Sequence, residues 1–372
     1  MQTPTVNFNK EDRPEFVKEL RKRVNNHFKE NNISKYANLN MKLKTTFMIC
    51  LYFIPLIILL SGVITTFWPM MAMWVLMSFG MSGIGLSIMH DANHGAYSKN
   101  KKVNAALGYL VNFLGAYHVN WKIQHNVLHH SFTNIHEFDD DISKPIMRFS
   151  PDQEHKPIYK YQSLYAPFFY GLMTLYWVVS KDFEQVKRYS DMNLLHGQGL
   201  TKKQALRDVA FNKIWYIALT VVLPLVILPI VWWQVMIGFV VMHFLCGLTL
   251  AFIFQPAHVL EETSFYKVDE TGSVENNWAI HQLYTTSNYA NKSAAFTWYV
   301  GGLNFQIEHH LFPHICHIHY RSISKIVKQT AHDYGVPYHE QPTFYHALKS
   351  HFSLLHRLGT GSYDLKPQTA MV

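Results

Sequence analysis

Two long stretches of this sequence carry no charged side chain, and they limit the possible folds more than any other feature. Residues 45–90 and 214–260 contain no Asp, Glu, Lys or Arg. A helix needs about 20 apolar residues to cross a bilayer, so each stretch is long enough for two passes. Residues 61–69 and 229–233 interrupt the two stretches with glycine, proline and tryptophan. The sequence therefore predicts an all-α integral membrane protein with four transmembrane helices in two hairpins, over residues 45–66, 69–90, 213–231 and 234–257.

The distribution of charge predicts the orientation of these spans. Only 16% of the residues are charged, against about 25% in a typical soluble domain. Lysines and arginines precede the first span, whereas the two hairpin turns contain neither. Because basic residues accumulate on the cytoplasmic side of membrane proteins, we expect both termini and the long middle loop to be cytoplasmic. The basic residues flank spans and form no recognition motif, so we expect no nucleic-acid partner.

The remaining segments predict helical extensions of one membrane unit. In the N-terminal segment, residues 1–44, Phe16, Leu20, Val24 and Phe28 recur every four positions, as in an amphipathic helix lying before the membrane. Apolar pieces at 103–117 and 164–179 are short for a span, and we interpret them as interfacial helices. An odd number of extra passes would place some of the histidines described next on the opposite face. Residues 321–372 form a cytoplasmic C-terminal segment.

Seven histidines gather in three clusters near the ends of the uncharged stretches. The clusters are His90 with His94, His125 with His129 and His130, and His309 with His310. A spacing of four, as in the first cluster and between His125 and His129, places two rings on one face of a helix and within reach of one ion. The ring of His130 would be turned by about 100° from that of His129, towards a second ion. We expect all the clusters to lie at the cytoplasmic end of the helices.

So many imidazoles beside a membrane indicate a metal site. Imidazole binds iron, zinc, copper and nickel, so the ligand type leaves the metal open. Seven histidines exceed the three or four ligands of a typical zinc site, which favours two metal ions over one. A metal transporter is a distant alternative, because its ligands would be expected at mid-membrane rather than beyond the ends of the spans.

The three clusters, in the sequences HDANH, HNVLHH and QIEHH around two hydrophobic hairpins, resemble the histidine boxes of the membrane fatty acid desaturase family. The third box, with Gln306 where related acyl-CoA enzymes have histidine, resembles that of the front-end branch, which has delta-6 and delta-5 regioselectivity and includes linoleoyl-CoA desaturase-like enzymes. The resemblance covers residues 45–320, which we interpret as the desaturase membrane domain.

The resemblance implies an oxygen-dependent enzyme that introduces a cis double bond into a long-chain fatty acyl substrate, held as a CoA, carrier-protein or phospholipid ester. It implies two iron ions, with O2 as the co-substrate. The implied ligands are the seven clustered histidines and one histidine at the end of the fourth span: His90, His94, His125, His129, His130, His258, His309 and His310. A related di-iron hydroxylase or ketolase shares these boxes and stays an alternative, and His258 could instead be an isolated interfacial histidine.

Residues near the boxes are candidates for supporting roles. Four of them could bind metal or orient the ligands through hydrogen bonds. They are Gln306, His281, Asp91 and Glu308. Four more are candidates for the mouth of a substrate site, namely Asn120, Trp121, Lys122 and Asn304.

The source of electrons is expected to be a separate protein. Many eukaryotic front-end desaturases carry a fused cytochrome b5 domain marked by His-Pro-Gly-Gly, but this motif does not occur here and residues 1–44 are too short to fold one. We therefore expect ferredoxin, or a separate cytochrome b5 with its reductase, as the external electron donor. The formal net charge of +8 would attract an acidic donor or anionic membrane lipids, although the positive-inside rule alone also accounts for it.

Overall fold

The computed structural model describes residues 6–143 and 145–363 and is mostly helical. In chain order its α-helices are α1 (Pro14–Glu30), α2 (Leu39–Leu60), α3 (Phe67–Gly83), α4 (Met89–Asn93), α5 (Lys101–Gly108), α6 (His118–Lys122), α7 (His130–Phe132), α8 (Gln162–Gly171), α9 (Met173–Tyr176), α10 (Asp182–Asp191), α11 (Lys202–Ile217), α12 (Leu223–Ile227), α13 (Trp232–His258), α14 (Trp278–Thr285), α15 (Ala294–Tyr299), α16 (Gln306–Leu311), α17 (Tyr320–Asp333) and α18 (Phe344–Thr360). Four π-helical turns continue some of these helices into the next: Ile84–Ile88, Ile123–His129, Trp177–Lys181 and Ala218–Val222.

Short strands and 3-10 turns connect the helices. The strands form two parallel pairs, β1 (Asn7–Phe8) with β2 (Ser273–Val274) and β3 (Ser287–Tyr289) with β4 (His339–Gln341). The register places Asn7 opposite Ser273 and Ser287 opposite His339. The 3-10 turns are Tyr109–Leu114, Pro157–Tyr161, His196–Gln198 and His317–His319. Both strand pairs join segments that are far apart in sequence, and they connect an N-terminal and a C-terminal segment to residues 273–289.

Within the described ranges, four helices are long and apolar enough to cross a membrane: Leu39–Leu60, Phe67–Asn93, Lys202–Ile227 and Trp232–His258. Their number agrees with the prediction, but the first begins earlier than residue 45. Asn38 caps this helix, because its side chain accepts a hydrogen bond from the amide of Met41 at 3.1 Å. Lys44, the charged residue directly before the uncharged stretch, is only 2% exposed and lies inside the helix. A charged residue was therefore a poor marker of the helix start.

The third long helix also begins earlier than predicted. Thr201 and Gln204 form a capping box in which each side chain bonds the other residue's backbone. The helix then runs through a charged first half before it reaches the apolar stretch. It ends at Ile227, two residues before Pro229, which cannot donate the backbone hydrogen bond that would continue it.

Close packing of the long helices depends on small residues. A Cβ atom on Gly80 of α3 would lie 2.5 Å from the backbone nitrogen of Tyr52 in α2, and one on Gly247 of α13 would lie 2.6 Å from the carbonyl oxygen of Gly171 in α8. Glycine at these positions lets the backbones approach, as it does in other membrane helix pairs.

The predicted amphipathic helix forms as α1, but its apolar face packs on protein. Phe16, Leu20 and Val24 are buried together with Ile323 and Val327 of α17. This face is therefore covered by the C-terminal part of the chain and does not face a membrane surface. Helix α1 therefore packs the N-terminal segment against the C-terminal segment.

The two short apolar pieces do not form spanning helices. The first is divided between α5 and the 3-10 turn Tyr109–Leu114, and the second between α8, α9 and a π turn. In the second piece, Leu164 and Phe168 are 79% and 56% exposed, while Ala166 and Tyr170 are buried. This piece therefore has one apolar face outward and one against α13 and α18, as an interfacial helix would.

Candidate metal centre

Four elements bring the eight predicted histidine ligands to one place. These elements are α4, the π turn Ile123–His129 with the start of α7, the last residue of α13, and α16. Seven of the eight side chains are buried, and His94 is partly exposed. The histidines divide into two main groups of potential ligands.

The first group contains His90, His94, His125 and His309. Each offers one ring nitrogen, and these four atoms lie within 4.8 Å of one another. The Nε2 atoms of His90 and His125 are 3.0 Å apart. Two nitrogens bound at about 2.1 Å and at roughly a right angle to one ion would be separated by ~3 Å, so this spacing fits a common metal.

The second group contains His129, His258 and His310, whose ligand atoms also lie within 4.8 Å of one another. His130 contacts both groups. Its Nε2 atom is 2.9 Å from Nε2 of His309 and 3.2 Å from Nε2 of His125 in the first group. Its ring stacks on that of His310 in the second group, with centroids 4.3 Å apart. Two neighbouring groups joined by one ring are the arrangement expected of a two-metal centre.

The second box agrees with the expectation in part. We predicted that His125 and His129 share one face and that His130 is turned towards a second ion. The rings of His125 and His129 do stack, with centroids 5.5 Å apart. The structure also brings Nε2 of His130 to 3.2 Å from that of His125, while His129 joins His258 and His310 in the second group. The reason is the π turn, in which backbone hydrogen bonds join residues five apart, so residues five apart align.

Protein acceptors hold the second nitrogen of several rings. Nδ1 of His310 lies 2.8 Å from Oε1 of Gln282, Nδ1 of His258 lies 3.2 Å from the carbonyl oxygen of Thr285, and Nδ1 of His129 lies 3.1 Å from Oδ1 of Asp139. An acceptor at Nδ1 places the hydrogen there and leaves Nε2 with its lone pair for a metal. Nδ1 of His309 has a similar neighbour, the hydroxyl of Tyr320 at 3.2 Å.

These supporting residues were not identified from the sequence. Asp139, Thr285 and Tyr320 belong to no box and follow no spacing rule. Gln282 directly follows the candidate His281. The sequence therefore indicates the right segment, but through His281 and not through Gln282. Only the folded chain shows which side chain faces the ligands.

The electrostatics favour neutral, metal-binding imidazoles. Burial, followed by repulsion from neighbouring rings, holds the pKa values of His94, His125, His309 and His310 well below the usual 6.5. Neutral imidazole is the form that binds metal. The Nε2 atoms of His94, His258 and His310 are buried and have no hydrogen-bond partner among the described residues. Buried polar atoms are rarely left unpaired, so this donor set fits bound metal ions.

The four candidates for supporting roles fall in different places. Gln306 is 1% exposed and its Nε2 has no partner within the described part of the chain, so it stays a candidate. His281 lies behind the second box, with Nε2 2.7 Å from the carbonyl oxygen of Thr133, and belongs to neither group. We therefore retain it as a supporting residue and not as a ligand.

Asp91 and Glu308 do not hydrogen-bond the ligands next to them in sequence. Asp91 accepts a hydrogen bond from Nδ1 of His317 at 2.8 Å. Glu308 accepts hydrogen bonds from Asn288 at 2.8 Å and from the hydroxyl of Tyr338 at 3.0 Å, and burial raises its pKa to about 8. Adjacent residues on a helix point about 100° apart, which explains why neither carboxyl faces its neighbour's ring.

An apolar cavity of about 440 Å³ adjoins the histidines, and three of them, His125, His129 and His258, form part of its wall. Most of the rest is aromatic or aliphatic and includes Trp121, Phe149, Phe169, Tyr170, Met173 and Phe254. Its volume lies within the ~300–1,000 Å³ typical of small-molecule sites. The cavity therefore places apolar space next to histidines of both groups.

Of the four candidates for a substrate mouth, only Trp121 lines this cavity. The Nδ2 atom of Asn120 donates to the carbonyl oxygen of Asp182 at 2.8 Å, and that of Asn304 donates to the carbonyl oxygen of Tyr289 at 3.1 Å. Both asparagines are buried and connect backbone segments. Lys122 is half-buried beside the cavity wall, and burial lowers its pKa. A substrate role therefore fits Trp121 and not the two asparagines.

Long apolar helices, two groups of potential metal ligands and an adjoining apolar cavity are the features of a membrane protein with a candidate metal centre. The sequence comparisons identify it further. The chain belongs to the fatty acid desaturase family, whose sequence model matches residues 66–342.

The curated relatives agree with this family. The chain is 34% identical to the sn-1 linoleoyl-lipid 6-desaturase of Synechocystis sp., over 93% of this chain and 96% of that protein. It is 32% identical to a protein of the same name from Arthrospira platensis, over 96% and 95% of the two chains. An acyl-lipid (8-3)-desaturase of Physcomitrium patens is 32% identical, over 97% of this chain and 75% of that protein.

The protein is therefore an oxidoreductase, a metal-dependent fatty acid desaturase of the front-end type with a fatty acyl substrate. The expectation drawn from the histidine boxes is confirmed. These relatives are all desaturases, so they give no support to a hydroxylase, a ketolase or a transporter.

Proposed function

We propose that this desaturase introduces a cis double bond at carbon 6 of linoleoyl chains esterified to membrane lipids. The observation that carries the proposal is the apolar cavity walled by histidines of both groups. The regioselectivity and the ester follow the names of the two cyanobacterial relatives, which align over nearly their whole length. A CoA or carrier-protein ester is the alternative that the experiment below separates.

A lipid-bound substrate fits the surroundings of the cavity. The α8–α9 segment supplies one wall with Phe169, Tyr170 and Met173, and its other face exposes Leu164 and Phe168. Exposed apolar side chains beside long membrane helices are expected to contact lipid. An acyl chain could therefore enter from the bilayer while its ester group stays near the headgroups.

The chain's own residues would orient the substrate and exclude water. Trp121 and Phe254 line the cavity beside His125 of the first group, with ring centroids 4.6 Å and 6.1 Å from that of His125. Apolar walls hold one pair of methylenes in a fixed place, and positioning of this kind is a large part of enzymatic rate enhancement. The bond formed would be set by the distance between the ester end and the histidines.

We propose two iron ions as the metals. His90, His94, His125 and His309 would hold one, His129, His258 and His310 the other, and His130 would reach either. When bound, such a pair supplies the oxidising power to remove hydrogen from an unactivated methylene, which no side-chain base can deprotonate. Gln282, Asp139 and Thr285 would keep the rings in the binding tautomer.

The proposed reaction also needs O2 and an external electron donor. Removing two hydrogens from adjacent carbons while O2 becomes two waters takes up two electrons and two protons. We propose that ferredoxin, or cytochrome b5 with its reductase, supplies the electrons. Such donors are cytoplasmic, which agrees with the orientation expected from the basic residues before the first span.

We further propose that the protein crosses the membrane four times, with both termini and the histidines on the cytoplasmic side. The four apolar helices and the basic residues of the N-terminal segment support this arrangement. Fusions of alkaline phosphatase, active only outside the cytoplasm, and of green fluorescent protein, fluorescent only inside it, after residue 372 would test it. A phosphatase-active, non-fluorescent C-terminus would contradict it.

The activity is tested by expressing the chain in a host that lacks its own front-end desaturase, feeding linoleic acid and supplying ferredoxin with its reductase. Gas chromatography of separated lipid classes should show a new double bond at carbon 6 in glycerolipids before it appears in acyl-CoA. The matched control is the His309→Ala variant, expressed to the same level. An unchanged profile with a working donor would contradict desaturation, and earlier labelling of acyl-CoA would contradict the lipid ester.

A further inference from the structure

Among the predicted ligands, one has access to the surface. His94 is partly exposed, whereas the other seven are at most 6% exposed. Its Nε2 atom is buried and has no partner among the described residues. Gly95, the next residue, is exposed and has a φ angle of 72°, which turns the chain away. His94 is therefore the least buried of the eight predicted ligands.

The chain around His94 is basic and lacks exposed carboxylates. Between residues 31 and 136, Asp91 is the only acidic residue, and it is buried. The same stretch contains seven lysines. Four of them, which together we call the basic surface, are Lys35, Lys99, Lys101 and Lys102. The last three are exposed and Lys35 is partly exposed.

Backbone contacts place these lysines around His94. Lys99 and the start of α5 follow directly after the turn at Gly95. The loop that contains Lys35 is fixed to the same region, since the amide of Ala37 donates to the carbonyl oxygen of Tyr97 at 3.0 Å. Lysines therefore lie on both of the chain segments that meet beside the turn after His94.

We propose that the basic surface around His94 is the docking site for an acidic one-electron carrier protein. This inference rests on the proposed function, which requires electrons from outside the chain. A carrier must approach closely, because electron transfer weakens steeply with distance, and His94 is the least buried of the predicted ligands. Complementary charge speeds such encounters and selects the partner. Anionic lipid headgroups are the competing occupant that the test must separate.

The test uses the iron-loaded, full-length protein in nanodiscs of zwitterionic lipid, with plant-type ferredoxin and its reductase as the donor. Lys99, Lys101 and Lys102 are changed together to Glu. The matched control changes Lys156, Lys160 and Lys349 to Glu, three exposed lysines around α18, with the same change in formal charge. Dithionite, which needs no docking site, is the reference reductant.

The first set of changes should raise the KM for ferredoxin at least tenfold at low ionic strength, and the control less than twofold. The difference should largely vanish at 1 M salt, where the Debye length falls to about 3 Å. Carbodiimide coupling should cross-link ferredoxin carboxylates to Lys99, Lys101 or Lys102. Changing these three lysines should also weaken ferredoxin binding, measured without turnover, more than changing the three control lysines does.

Three results would overturn the docking site. The first is an equal KM for ferredoxin with both sets of changes, and the second is cross-links on the control lysines. The third is an effect that appears only in nanodiscs with anionic lipid, and this result would assign the surface to lipid headgroups. Each of these leaves desaturation by the wild-type protein intact. A wild-type protein that forms no product with either ferredoxin or dithionite would instead overturn the proposed function and the docking site together.

Discussion

Replacing Gln282 by leucine tests the link between hydrogen bonding and metal affinity. Oε1 of Gln282 lies 2.8 Å from Nδ1 of His310 and 2.9 Å from the hydroxyl of Thr133. Thr133 can turn its hydrogen to the carbonyl oxygen of His129 at 2.7 Å. After the substitution, the His310 ring keeps only the hydroxyl oxygen of Thr133, 3.3 Å from Nδ1, as a longer and weaker acceptor. The ring is fully buried, and water does not replace the bond.

The expected size follows from these contacts. Leaving a buried donor unpaired costs about 1–3 kcal/mol, and the ring can avoid this cost by rotating or changing tautomer, which removes Nε2 from the metal. Loss of such a supporting residue typically weakens metal binding 10- to 100-fold, or about 1.4–2.8 kcal/mol. We expect Gln282→Leu to lower the metal affinity of the second group by this factor, while the first group keeps its metal.

The assay is iron content by elemental analysis after dialysis against graded chelator, together with the rate of desaturation. Gln282→Glu is the matched control, because it keeps an acceptor oxygen at the same place and should bind both ions. Leu and Glu variants that resist the chelator equally and retain both ions would refute the reasoning, since His310 would then not depend on its acceptor.

Three further perturbations have defined outcomes. His129→Ala or His309→Ala should abolish activity and lower bound iron while the protein still inserts, and turnover in either variant would remove that residue from the ligand set. The folded protein holds the pKa values of His310 and its neighbours below 6.5, so below that pH the unfolded chain binds more protons than the folded protein. For each such histidine, the free energy of unfolding of the metal-free protein should therefore fall by up to about 1.4 kcal/mol per pH unit as the pH drops from 6.5. Thermal unfolding from pH 7.5 to 5 measures this, and a flat profile would contradict neutral burial. Met173→Trp, which adds bulk to the cavity wall, should lower linoleoyl conversion relative to shorter acyl chains in competition assays, and an unchanged preference would place the chain elsewhere.

The sequence by itself determined the features that depend on short stretches of chain. The ability to cross a bilayer is a property of about twenty consecutive residues, so the number of apolar helices could be predicted from the two uncharged stretches. The histidine boxes are likewise local, and they were sufficient to indicate the family. Helix ends were less certain, since the burial of Lys44 depends on its contact with His317, whose Nε2 lies 3.0 Å from Nζ.

Only the tertiary structure decided which histidines meet and what supports them. His130 and His309 are separated by 179 positions, yet their Nε2 atoms lie 2.9 Å apart. Nothing in the sequence indicated the π turn that aligns His125 with His130, because the spacing of four between His125 and His129 suits an ordinary α-helix. Gln282 and Asp139 became identifiable once the rings had positions, and the cavity exists only between helices that are distant in sequence. Local sequence sets which residues can bind metal, whereas the distances and hydrogen bonds of a metal centre arise when separate segments pack together.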